Sequence, residues 1–70
     1  MSKIIEAILQ QALRDSASEL KSNPMMSRED RESRYCSILE WARWKVAVNG
    51  GRWVDYASPF EAQLAEALKV

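Results

Sequence analysis

The sequence points to an all-α fold: an antiparallel helical hairpin plus a short C-terminal helix, one domain over residues 1–70, expected to assemble as a homodimer. Three observations carry this. Apolar residues recur at helical spacing in two long segments. Serines suited to capping, Ser2, Ser27 and Ser58, stand before three helical segments. Helix breakers, Pro24 and the pair Gly50-Gly51, lie between the segments.

The first helix is expected over residues 2–21, SKIIEAILQQALRDSASELK. Ile5, Ile8, Leu9, Ala12, Leu13, Ala17 and Leu20 form a stripe at roughly helical spacing. Lys3, Glu6, Gln10, Arg14 and Asp15 fall mostly off it. The segment is rich in strong helix formers, and Ser2 can cap its start. The small residues Ala12, Ser16 and Ala17 would let a neighbouring helix approach closely. The connector SNPMMS follows. Pro24 ends the first helix, because the residue before a proline is biased away from helical geometry. Met25 and Met26 are expected to cover the open end of the helix pair.

The second helix begins at Ser27, with Asp30 at the third helical position, where a capping box prefers glutamate. Glu29, Asp30 and Glu32 suit the positive end of the helix dipole. Arg28 with Glu32, and Asp30 with Arg34, are pairs at i,i+4. The charged start therefore reads as a solvated surface. Beyond it, Tyr35, Ile38, Leu39, Ala42 and Val46 mark a core face, and Trp41, Trp44 and Val48 mark an adjoining one. A helix apolar over that much of its girth needs partners on more than one side. Asn49-Gly50-Gly51 ends it, glycine supplying the left-handed conformation such an end favours. Asn-Gly is also a hairpin signal, but too little strand-like sequence follows for a hairpin.

Residues 52–57, RWVDYA, read as an aromatic connector. Ser58-Pro59-Phe60-Glu61 then has the form of a helix start: serine cap, proline first, glutamate third. The last helix places Phe60, Leu64, Ala67 and Leu68 on one face. It is short, so it must dock to be stable.

Composition narrows the chemistry. The chain has no histidine and a single cysteine, Cys36. That excludes histidine-based triads, histidine metal ligands, an intrachain disulfide and a zinc site from these residues. No glycine-rich phosphate loop is present, and the carboxylates are scattered over polar helix faces. Neither catalysis nor a cofactor is expected. Cys36 has apolar neighbours at a helical position and is expected to be a buried structural thiol. A chain of 70 residues supports only a small core and lacks disulfide or metal staples, so self-association is a physical expectation. Ten basic residues balance ten acidic ones. The basic excess of a nonspecific nucleic-acid binder is therefore missing. No apolar run approaches a membrane span, and Glu6 interrupts the N-terminal apolar run as no signal peptide would. A cytoplasmic location is expected, since a lone free cysteine suits a reducing compartment.

The signal that remains is W-A-R-W-K followed by G-G-R-W. Trp and Arg are enriched among residues that dominate protein interfaces. Trp41, Arg43, Trp44, Lys45, Arg52 and Trp53 are the candidate partner-binding residues. The alternative is that Trp41 and Trp44 cap the hairpin core and Trp53 pins the connector. In its whole-chain layout and size, the sequence resembles the small all-helical early proteins of tailed phages, which bind and disable host bacterial proteins. It is similar in its helical-hairpin pattern to the phage quorum-sensing anti-activator family. That resemblance implies a homodimer that inhibits a host LuxR-type transcription regulator by binding its DNA-binding domain. It assigns no residue a role. The other functional class is a small DNA-binding transcription regulator, with the second and third helices as a helix-turn-helix. The would-be reading helix carries Glu61 and Glu66 against Lys69 alone, a poor surface for a phosphate-lined groove.

Overall fold

The computed structural model describes residues 2–70. Helix α1 spans Lys3–Ser22 and α2 spans Arg28–Val48; a 3₁₀ turn at Trp53–Asp55 leads into α3, Ala57–Leu68. The described residues are thus all-helical, with no strand.

The first two helices begin where their cap chemistry places them. The Ser2 hydroxyl accepts from the Ile5 amide at 3.3 Å, and the Ser27 hydroxyl accepts from the Asp30 amide at 3.1 Å. Each bond satisfies one of the amides that a helix start leaves without an intrahelical partner. The end of α2 is a paired motif. The Gly50 amide donates to Ala47 C=O at 3.0 Å and the Gly51 amide to Val46 C=O at 2.9 Å. Gly50 takes the left-handed conformation that this pairing requires, with φ of 81°. Gly51 is needed for space instead. A Cβ there would sit 2.6 Å from Ile5 Cδ1 and 3.0 Å from Val46 Cγ1. The chain leaves α2 in direct contact with the start of α1.

The start of α3 differs from the expectation. Ser58 does not cap it; α3 begins at Ala57, with Tyr56 in the cap position and no side-chain cap bond. The first helical bond runs from the Phe60 amide to Tyr56 C=O at 3.1 Å. Tyr56 is itself buried, and its hydroxyl accepts from the Ser2 amide at 3.3 Å. Tertiary anchoring of Tyr56 thus starts the helix earlier than local serine chemistry would. Pro59 is accommodated because it still falls in the first turn, where no intrahelical donor is lost.

The core joins Ile5, Leu9, Ala12 and Leu13 of α1, Ala42 and Val46 of α2, and Tyr56, Phe60, Leu64 and Leu68. Leu64, Leu68, Ala42 and Val46 are wholly enclosed. Helix α3 packs most extensively on α1 and also contacts α2, so the shortest helix holds the two long ones together. Of the expected α2 core face, Tyr35, Ile38 and Leu39 are only half-buried against this cluster, while Ala17 of α1 is exposed. Ser16 is buried, and its hydroxyl donates back to Ala12 C=O at 2.8 Å.

Three further expectations are corrected. Cys36 is exposed, not buried; it lies one residue from Tyr35 and about 100° round the helix from that core-facing position. Arg34 does not pair with Asp30; its Nη2 reaches Glu19 Oε1 on α1 at 2.7 Å, because the neighbouring helix offers the closer carboxylate. Met25 is 90% exposed, while Met26 is half-buried. The Arg28–Glu32 pair forms as expected, at 3.0 Å. The Arg28–Glu32 pair is largely solvated and contributes little; in the Arg34–Glu19 pair the side chains are partly exposed, but the paired Glu19 oxygen is enclosed.

Candidate interaction surface

Helical geometry divides the six candidate residues. At about 100° per residue, Trp41, Trp44 and Lys45 fall within one third of the α2 circumference, whereas Arg43 lies about 160° from both Trp41 and Lys45. The compact W-A-R-W-K string therefore points to two sides of α2, with Trp44 between them, about 100° from both Arg43 and Lys45. Arg43 and Arg52 are both exposed, Arg52 in the connector just before the 3₁₀ turn. Trp53 belongs to neither surface. It is half-buried against the core and meets Phe60 edge-to-face, ring centroids 6.1 Å apart at 73°. Part of the favourable aromatic geometry of this small core comes from that pair.

Trp41 is 40% exposed and Trp44 is 58% exposed. The Lys45 Nζ sits over both rings, 5.9 Å from the Trp41 centroid and 5.4 Å from the Trp44 centroid. Each such contact contributes about 0.5–1 kcal/mol at a solvated site. More useful here is their geometric effect: one ammonium bridging two indoles restrains both in place. A pre-ordered aromatic pair loses less side-chain freedom when a partner covers it.

The aromatic pair does not stand alone. Trp41 and Lys45 share an open groove of about 400 Å³ with Ala7, Ile8, Gln11, Ala12 and Asp15 of α1. The groove continues along α2 past Ile38 to Arg34, opposite Ser16 and Glu19. Ile4, one turn before Ile8, and Val48, one turn after Trp44, are both more than 60% exposed. None of the six candidate residues lies on this α1 half. The signal was present in the spacing: Ile4 and Ile8 are an i,i+4 pair offset from the buried Ile5–Leu9 pair by one position.

Helix α3 turns Phe60, Leu64 and Leu68 inward and leaves Ser58, Pro59, Ala62, Gln63 and Glu66 exposed. Its outer side thus carries an acid and no base. Among the described residues, no group of three or more His, Cys, Asp and Glu side chains is arranged to hold a metal, and no helix is long and apolar enough to cross a membrane.

No protein-family model, curated protein or solved structure matches this chain.

Proposed function

We propose that this chain is a small, non-catalytic protein-binding module, working as a homodimer whose long helices form an antiparallel hairpin. It acts by occupying a surface on another protein, as the phage inhibitors it resembles do on a host transcription regulator. The observation that supports this reading best is the Trp41–Lys45–Trp44 arrangement. Two solvent-facing indoles are restrained by one ammonium beside an apolar groove. Monomeric soluble proteins seldom leave large aromatic groups contiguous with further apolar side chains unless the patch binds something. Arg43 and Arg52 are both exposed, so either remains available for a second contact.

The test is affinity capture from a bacterial lysate with immobilised wild-type chain, compared with Trp44→Ala and Arg43→Ala. Wild type should retain a defined protein, and at least one variant should retain at least tenfold less, about 1.4 kcal/mol of binding, with an unchanged far-UV helix signal. Equal capture by all three would contradict the proposed site. Titration of duplex DNA at low and moderate salt should show no appreciable binding. Steep salt-dependent binding would replace this reading with the DNA-binding one.

A further inference from the structure

We infer that the open α1–α2 groove is closed by a second copy of this chain, docking through Ile4, Ile8, Trp41, Trp44 and Val48. The inference rests on reading this face as a protein-binding surface, and it names the occupant. Two long helices from each copy would then surround a shared core, with each α3 outside it.

Area is the first support. The chain exposes 4943 Å². A compact monomer of its 8.0 kDa would expose about 4,450 Å², from the usual scaling of surface with mass. The excess is about 500 Å², and a closure that removed it from each copy would bury about 1,000 Å². That reaches the lower bound for a specific contact and falls in the range of weak association, below the roughly 1,200–2,000 Å² of stable complexes. The shape agrees: the molecule measures 37 × 17 × 17 Å, and its radius of gyration is 12.0 Å against about 11 Å for a compact domain of this length. Doubling across the long side would make it rounder.

Charge is the second. A two-fold contact presents one patch to itself, so a patch of single sign would repel its copy. The groove is lined by one base, Lys45, and one acid, Asp15, with the Arg14 guanidinium donating to the lining Gln11 at its margin. The Arg34–Glu19 pair farther along is already neutralised. The bases that an acidic or phosphate-bearing partner would engage are already held, Lys45 by two rings, Arg34 by Glu19 and Arg14 by Gln11. A neutral, self-complementary occupant suits the face better.

Packing is the third. Helix α3 covers α1 and α2 with its Phe60–Leu64–Leu68 stripe. The groove's lining includes Ala7 and Ala12, small enough for a helix to approach closely. Two helix pairs meeting there make a four-helix core. Ten buried apolar residues are few for an independent domain, and such small chains commonly gain stability by association. Arg43 and Arg52 would stay outside the closed face, free for a different partner.

Sedimentation of the purified chain from about 1 to 100 µM tests this, a range covering micromolar dissociation constants. The expected species has twice the 8.0 kDa chain mass. Trp44→Glu and Ile4→Glu, on different helices and both exposed in the single chain, should each give the 8.0 kDa species with an intact far-UV helix signal. In wild type, indole emission should shift to the blue as concentration rises. A wild-type chain that stays at 8.0 kDa throughout would overturn the inference. So would a dimer that survives both substitutions. A monomeric wild type whose capture of another protein is lost with Trp44→Glu would overturn self-docking and the homodimer, and leave only the binding of another protein through this face. A dimer broken by both substitutions, in a chain that captures nothing, would support self-docking and count against action on a further protein.

Discussion

Gly51 shows how one missing side chain sets the relation between two helices. A Cβ at this position would overlap Ile5 Cδ1 and crowd Val46 Cγ1, both in the core. Neither is the free end of a flexible surface chain, so relief would require the α1–α2 contact to open. Gly51→Ala should therefore destabilise the fold by about 1–3 kcal/mol, the usual cost of overpacking a well-filled site. Urea unfolding followed by far-UV signal measures it. Gly50 offers a control at the adjacent residue. Nothing lies within 4 Å of a Cβ there, and its constraint is backbone alone, with φ of 81°. Gly50→Ala should cost about 1 kcal/mol through left-handed strain. A larger loss at Gly50 than at Gly51 would show that the close approach to Ile5 is not what matters.

Among the elements, α1 and α2 were legible because their signals are local. Ser2 and Ser27 cap through bonds three residues ahead, and the paired glycines end α2 within its own last turn. The start of α3 was not legible, because it is decided by Tyr56, whose ring is buried in the core and whose hydroxyl meets Ser2, 54 residues away. No window around Ser58 contains that information. The contrast is measurable. Ser27→Ala should lower stability by about 1 kcal/mol, the typical loss for removing a serine cap. Ser58→Ala, at an exposed site that does not cap α3, should change it by less than about 0.5 kcal/mol. Equal losses would mean that Ser58 caps α3 after all. The candidate site divides in the same way. Composition singled out the tryptophans, and helical angle alone separates Arg43 from Trp41 and Lys45. The burial of Trp53 against Phe60 depends on where α3 docks, which periodicity does not encode. Cys36 was misplaced because its apolar neighbours are near in sequence but point elsewhere around α2.

For the molecule as a whole, the decisive relation is between a small core and a long frame. Stability for 70 residues is expected at about 4–10 kcal/mol, from typical values per residue. Leu64 is wholly enclosed on α3, the helix that contacts both long ones. Truncating such a leucine costs about 2–5 kcal/mol in lost burial and residual cavity. Leu64→Ala should therefore remove a large share of the total and leave a substantial unfolded fraction in dilute solution at 25 °C. Leu64 lies away from the open α1–α2 groove, so this loss acts on the single chain and leaves the docking face chemically unchanged. If copies associate through that groove, mass action stabilises the folded form as concentration rises. The far-UV helix signal of Leu64→Ala should then recover on concentration, over the range in which wild type forms its dimer. Adding Trp44→Glu to Leu64→Ala should abolish the recovery. A Leu64→Ala chain whose helix signal does not vary with concentration, beside a wild type that does dimerise, would show that the association surface includes α3. The four-helix arrangement would then have to give way to one in which the third helix contributes to the contact between copies.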